Sequence, residues 1–319
     1  MTTVPTEFVE FVPFRRLAII GTGLMGGSLA LAAKQQGLAL HTVGYSRHFA
    51  TAEQAEAFGV IDQACDRLSD AVDGADAIYL AVPGGQLPAL LETLAPLVRA
   101  LPDGTWPIVW DAGSTKQNVV SGLVALRDRF PEFVSHCVLC HPIAGSERRG
   151  PSAAQVDLYA GKTVVLCRGE STDPLAHARV ESFWTMLGAR VKTMPADRHD
   201  AFFAAASHLP HWLAFAYVAA LLDQPDGAVA MAEGGAGFRD FTRIAASSPE
   251  MWCDIFLDNR ENMLARLAAV DARLLAMRAA LQNKDRAALT DVLVRAAQFR
   301  ESWSPHSTAG DCAAEVNAE

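Results

Sequence analysis

A chain of 319 residues that is 50% hydrophobic and 20% charged carries enough apolar material for one large or two ordinary domains, and it excludes a disordered body. With 27 Lys and Arg against 36 Asp and Glu, the formal net charge is −9, which excludes the overall basic footprint of a nucleic-acid binder. Six Cys are too sparse for a disulfide scaffold, and no charged stretch followed by an apolar run opens the chain, so the expected setting is soluble, cytoplasmic and thiol-reducing.

Residues 1–14 read as a loose lead-in. Apolar runs then alternate with helical patterns. Leu17–Ile20 is a predicted strand followed by a helix over 26–36. Thr42–Tyr45 is a second strand, with a helix over 50–58. A third strand over 77–82 is ended by Pro83. It is followed by a helix over 87–101, a strand Ile108–Asp111 and a helix over 115–129. Strands over 138–140 and Thr163–Cys167, a helix over 174–187 and a strand Arg190–Met194 continue the alternation. This β-α order predicts a mostly parallel, doubly wound sheet of the Rossmann type. After Pro195 the pattern turns helical, with a Gly-rich stretch over 231–243 and one long helix over 262–299. The expected organisation is a dinucleotide-binding domain over 1–195, an all-α domain over 196–303 and a flexible tail over 304–319.

The stretch 201–222 contains no Asp, Glu, Lys or Arg and is long enough to cross a bilayer. It also contains Ser207, His208, Pro210 and His211, with Asp200 and Asp223 at its edges, so a buried helix bearing a polar site is the expectation, and no membrane partner.

Gly21-Thr22-Gly23-Leu24-Met25-Gly26 follows a strand and opens a helix, the context that a dinucleotide fingerprint requires. The glycines allow a tight turn, close approach of backbone to pyrophosphate, and helix–strand packing. The helix N-terminus then presents free N–H groups. The second strand should end in an acid if the ribose 2′-hydroxyl is to be bound, yet no acid occurs between Gly21 and Glu53. The strand ends Gly44-Tyr45-Ser46-Arg47-His48, and a hydroxyl with a guanidinium suits a 2′-phosphate, so NADP is expected with NAD possible. The plainer reading of Arg47 is a solvated surface residue.

Cys137-Val138-Leu139-Cys140-His141 matches a haem-attachment pattern, but that chemistry needs export, and the cysteines read as small buried residues on a strand. His199, His208 and His211 could be zinc ligands, core histidines or part of a substrate pocket. No Cys or carboxylate cluster completes a metal site, so none is expected. Pro210 favours a pocket, because Pro inside a helix loosens the hydrogen-bond ladder. Ser114 follows the strand ending at Asp111, at the sheet edge where open α/β folds bind ligands, and it is also a candidate N-cap for the next helix.

Six motifs then occur in order: Gly21 to Ser28, Asp111-Ala112-Gly113-Ser114-Thr115-Lys116, His141-Pro142-Ile143-Ala144-Gly145-Ser146-Glu147, Ser207-His208-Leu209-Pro210-His211, Gly237 to Ile244, and Pro249-Glu250-Met251-Trp252. Together they resemble the prephenate/arogenate (cyclohexadienyl) dehydrogenases of tyrosine biosynthesis, over about residues 16–300. The resemblance implies oxidative decarboxylation of a cyclohexadienol with hydride transfer to a nicotinamide, and a homodimer formed through the helical domain. It implies His141 as the group that draws the 4-hydroxyl proton, with Ser114 holding that hydroxyl, and Arg243 as the clamp on the ring carboxylate. His211 would face the substrate side chain, with His208 and His199 as polar support, Glu147 as a gate paired with Arg243, and Trp252 lining the pocket. Val82 and Pro83 join Gly21 to Gly26, Ser46 and Arg47 on the cofactor side. Ser146 stands where many relatives have Thr. No mutase bundle precedes Gly21 and too few residues follow Phe299 for a regulatory domain, so a monofunctional enzyme is expected. Another two-domain hydroxyacid dehydrogenase would resemble enzymes with a catalytic Lys in the helical domain, where this chain has only Lys284 after 195. A non-catalytic NADP-sensing regulator would explain Gly21 to Gly26 and Arg47, but not His141, His211 and Arg243 together.

Overall fold

The computed structural model describes residues 11–145, 148–169 and 171–303. Eight strands, β1 (Leu17–Ile20), β2 (Thr42–Tyr45), β3 (Gln63–Cys65), β4 (Ala77–Leu80), β5 (Ile108–Asp111), β6 (Cys137–Pro142), β7 (Thr163–Cys167) and β8 (Arg190–Met194), form one sheet in the order β3-β2-β1-β4-β5-β6-β7-β8. All neighbours are parallel except β6 and β7. The order reverses between β1 and β4, and the carboxyl ends of β1, β4, β5 and β6 share one edge, so a ligand crevice opens there.

The central strands β1, β4, β5 and β6 are buried on both faces. Leu17, Ile19, Tyr79, Trp110 and Cys140 point into one core, and Ala18, Ile20, Leu80, Val109 and Leu139 into the other. This is the period-2 pattern of a sheet covered on both sides. Helices α1 (Leu24–Gln35), α2 (Phe49–Ala57), α3 (Leu68–Val72), α4 (Leu87–Leu94), α5 (Gln117–Leu126), α6 (Pro131–Ser135) and α7 (Pro174–Met186) lie between successive strands. Cys137 and Cys140 sit on opposite faces, each buried with its thiol pushed up by desolvation, which is the packing role expected of them.

The elements differ from expectation in places: the short helices α3 and α6 are additions, and the helix expected over 87–101 ends at Leu94. β3 was not predicted: it has only three residues, and Gln63 is exposed, so no apolar run marks it. The long helix over 262–299 is two helices, α13 (Arg260–Gln282) and α14 (Arg286–Glu301). Lys284 at the break takes φ +52°, a left-handed conformation that ends a helix, and Asp285 caps α14 by accepting from the Ala288 N–H at 3.0 Å.

Every described element after Met194 is helical: α8 (Ala196–Phe203), a π turn (Ala204–His208), α9 (Leu209–Leu222), α10 (Gly227–Ala232), α11 (Ala236–Thr242), a 3₁₀ turn (Arg243–Ala246), α12 (Pro249–Asp258), then α13 and α14. The described residues form two compact units, divided between Asn262 and Met263, and all site residues described below belong to the first.

Candidate active site

β1 ends at Ile20 and the chain turns at Gly21 with φ +101°. A Cβ there would lie 2.3 Å from the Ala81 carbonyl oxygen, and one on Gly26 would lie 2.0 Å from that of Gly21, so neither position admits a side chain. Gly23 differs. A Cβ would meet nothing within 4 Å, and as N-cap of α1 it leaves the helix N-terminus uncovered, with Leu24 and Met25 in the first turn. The open cradle and free N–H groups fit a pyrophosphate. Val82, half-buried beside Gly21, and exposed Pro83 continue from β4 along the same edge.

Thr22 is fully buried and ties this loop to the end of β2. Its N–H donates to Ser46 Oγ at 3.1 Å, and the two hydroxyls lie 2.8 Å apart. Ser46 therefore braces the glycine loop, a role its position in the sequence did not indicate, while Arg47 beside it stands exposed.

At the end of β5, Asp111 and Lys116 are both buried and form an ion pair. Asp111 also accepts from Gly113 N at 2.8 Å and Cys140 N at 2.9 Å, and Lys116 Nζ donates to the Cys140 carbonyl at 2.6 Å. The pair thus staples the β5–α5 loop to β6 one residue before His141. Ser114 lies half-buried in that loop. It does not cap α5. The N–H groups of Lys116 and Gln117 are taken instead by the Asp200 carboxylate from α8, at 2.9 and 2.8 Å.

His141 at the carboxyl end of β6 is 9% exposed, and His199 is 0% exposed. His141 Nδ1 lies 2.8 Å from His199 Nε2, and His199 Nδ1 lies 2.7 Å from Asp200 Oδ1. Phe203 packs against both rings, at centroid distances of 4.8 and 4.5 Å. Desolvation holds His141 well below the usual histidine value, reinforced by His199, Lys116 and His208. Desolvation also lowers His199, against the opposing pull of Asp200. A neutral imidazole at a ligand crevice is suited to accept a proton.

His208, 1% exposed, accepts at Nδ1 from Asn259 Nδ2 at 3.0 Å, and the same amide donates to the Asp200 carbonyl at 2.8 Å. Burial pushes His208 down to about 4. His199 and His208 therefore stand behind the site, engaged by protein groups. His211 is half-buried, donates from Nδ1 to the Ser207 carbonyl at 2.9 Å and stacks on Trp252 at 3.7 Å within the same chain. Arg243 is exposed at the start of the 3₁₀ turn, and its charge helps to depress His211. Pro210 lies in the first turn of α9, where its missing N–H costs little. The loosening expected around it takes the form of the π turn that precedes it. Glu147, with Ser146, lies outside the described residues.

Four groups escaped the sequence reading: Asp111, Lys116, Asp200 and Asn259. The first two bracket Ser114 in a motif whose serine alone drew attention. Asp200 directly follows His199, yet its partners Lys116 and Gln117 lie 84 and 83 residues away.

Residues 29–193 match the family model described as prephenate dehydrogenase, nucleotide-binding domain, and residues 195–295 match prephenate dehydrogenase, dimerization domain. The chain belongs to the prephenate dehydrogenase family. It is an oxidoreductase of that family, with a Rossmann-type sheet followed by helices. The chain is 32% identical to the cyclohexadienyl dehydrogenase of Zymomonas mobilis, over 85% of this chain and 90% of that one. It is 32% identical to the Bacillus subtilis prephenate dehydrogenase, over 78% and 66%. The solved structure of prephenate dehydrogenase from Aquifex aeolicus, in complex with hydroxyphenyl propionate and NAD+, superposes with a TM-score of 0.81 at 29% identity, covering 92% of this chain and 99% of that one. Synechocystis arogenate dehydrogenase gives 0.74 at 26% identity, covering 91% and 100%.

Proposed function

We propose that this member of the prephenate dehydrogenase family oxidatively decarboxylates prephenate and/or arogenate, to 4-hydroxyphenylpyruvate or tyrosine, with NADP preferred over NAD. The observation that carries the reading is His141: a neutral imidazole at the same carboxyl edge of the sheet as a glycine cradle that fits a dinucleotide. The nicotinamide, when bound, supplies the hydride acceptor.

The chain's own residues supply the rest. His141 takes the 4-hydroxyl proton as hydride leaves C4, and Ser114 orients that hydroxyl. Arg243 holds the ring carboxylate as a permanently charged fork. When that carboxylate leaves as CO2, its bonding electron pair enters the ring, which becomes aromatic, and the ring oxygen recovers a proton. His211, stacked on Trp252, faces the substrate side chain, and His199 and His208 support the site from behind. Arg47, with no acid near it in sequence, suits a 2′-phosphate. Residues 1–195 hold the cofactor and 196–303 carry the substrate and dimer contacts.

The homodimer reading is supported by α9, an apolar helix on which only Ala214 is buried and which leaves Trp212, Tyr217 and Leu222 exposed. Ala196–Leu222 is the one described helical stretch long and apolar enough to cross a membrane. The buried helix expected over 201–222 is met only at its start: His199, Asp200 and His208 are buried and engaged by protein groups, which favours protein over lipid there, while α9 is largely exposed.

Absorbance at 340 nm with prephenate and arogenate, each with NADP and NAD, tests the proposal. Turnover with at least one substrate and a higher kcat/KM for NADP are expected. No reduction with either substrate would leave only a cofactor-binding protein, and a tenfold preference for NAD would overturn the cofactor assignment.

A further inference from the structure

His199 and Asp200 have no assigned part in the proposed chemistry beyond support, yet they connect the candidate base to a helix end. We propose that they are positioning residues that hold His141 as its Nδ1–H tautomer, so that Nε2 carries a lone pair to the crevice. This rests on the reading of His141 as the base.

A carboxylate only accepts, so His199 must donate from Nδ1 to Asp200. A neutral imidazole with its hydrogen on Nδ1 has a lone pair on Nε2, and His199 Nε2 meets His141 Nδ1. His141 therefore donates there and keeps Nε2 as acceptor. The direction of the chain is set from outside the imidazoles. Lys116 N donates to both Asp200 oxygens, at 2.9 and 3.1 Å, and Gln117 N donates to Oδ2 at 2.8 Å. The N-terminus of α5 thus anchors the carboxylate. The other charged or titratable groups around the two rings are Lys116 and Asp111 on the β5–α5 side and His208 from the π turn, and burial together with the nearby cation keeps both imidazoles neutral.

In the reaction the substrate O–H bond breaks and the His141 Nε2–H bond forms. The imidazolium keeps its Nδ1 proton, donated to His199, while Asp200 balances the charge from one ring away. The same proton later returns to the ring oxygen, and none leaves through the relay.

Asp200→Asn tests this, because the helix end dictates how the amide lies. With the amide oxygen in the place of the carboxylate Oδ2, where it keeps the N–H groups of Gln117 and Lys116 and gives up only the second Lys116 contact, Nδ2 takes the place of Oδ1 against His199. His199 Nδ1 must then accept, its Nε2 must donate, and His141 becomes the Nε2–H tautomer with no lone pair for substrate. Long-range ¹H–¹⁵N spectra of the imidazoles at neutral pH, without substrate, should show Nδ1–H for both histidines in the wild type and Nε2–H for both in Asp200→Asn. The variant's kcat should fall about 10²-fold or more with KM nearly unchanged. A purely structural role for Asp200 would lower thermal stability without inverting the tautomers, and that result overturns the proposal. So does a wild-type His141 protonated on Nε2, which is decisive even if the variant does not fold. Because the spectra need no turnover, a wild type inert toward prephenate and arogenate would overturn the proposed reaction, while the tautomer assignment would still be decided by the spectra.

Discussion

Around His141 the polar groups are engaged by protein: His199 by Asp200, Asp200 by the start of α5, Lys116 by Asp111 and the Cys140 carbonyl. At two other positions proposed for the site, Arg47 and Arg243, the charged groups stand exposed. The first region is organised by the fold and the second is left to be organised by what binds. The difference assigns them different work. A proton acceptor needs a fixed lone pair and a dry surrounding, whereas a guanidinium needs only its charge and reach. Substitutions in the first region should therefore damage rate or folding, and those in the second should damage affinity.

The largest expected effect lies at the base. His141→Asn should lower kcat by about 10²–10⁴ with little change in KM. Because desolvation holds His141 below the ordinary histidine value, wild-type activity should persist as pH falls through about 6.5 and decline only below it. That acid limb should vanish from the residual rate of the variant. In contrast, Arg243→Ala should raise KM by about 10- to 100-fold, since the ring carboxylate is charged in the ground state as well as in the transition state. The reverse pattern in steady-state kinetics would dissolve the contrast between the two regions.

Lys116 offers the sharpest test on stability. Lys116→Met strands the buried Asp111 carboxylate without its cation, and the expected loss is roughly 3–5 kcal/mol in urea denaturation. Adding Asp111→Asn should recover much of it. A single variant as stable as the wild type would mean that the pair is not the staple between β5 and β6.

The smallest effect is expected at the exposed end of the cofactor site. Arg47→Ala should cut kcat/KM with NADP by about tenfold and leave that with NAD within about twofold. Equal losses with both cofactors would place Arg47 elsewhere on the dinucleotide.

The same contrast governs what the amino-acid sequence reveals. Gly21 and Gly26 are readable because backbone approach leaves only glycine possible there, Gly23 because it completes their spacing, and the strand before them is an apolar run. The two-faced sheet is readable from the alternation of apolar segments with helical ones, and β3 is not, because three half-covered residues carry no pattern. His141 is visible through its motif. The relay behind it is hidden, since His141 and His199 are 58 residues apart and no periodicity links them. Asp111 and Lys116 are hidden for another reason. A buried ion pair looks, in a sequence, like two surface residues flanking a turn.

The π turn at Ala204–His208 has a consequence for how this segment can change length. On an unbroken α-helix, His208, nine residues beyond His199, would lie about 180° around the axis from it. A π turn accommodates one additional residue and takes up about 100° of that rotation. His208 is thereby brought round to share Asn259 with the Asp200 carbonyl. A single-residue deletion within 204–207 would restore regular winding and leave His208, then eight residues beyond His199, at about the same angle, whereas a second deletion would swing His208, His211 and the whole of α9 together by about 100°. This segment therefore absorbs one length change and no more: the π turn can give up a single residue, and any further deletion parts His208 from Asn259 and His211 from Trp252.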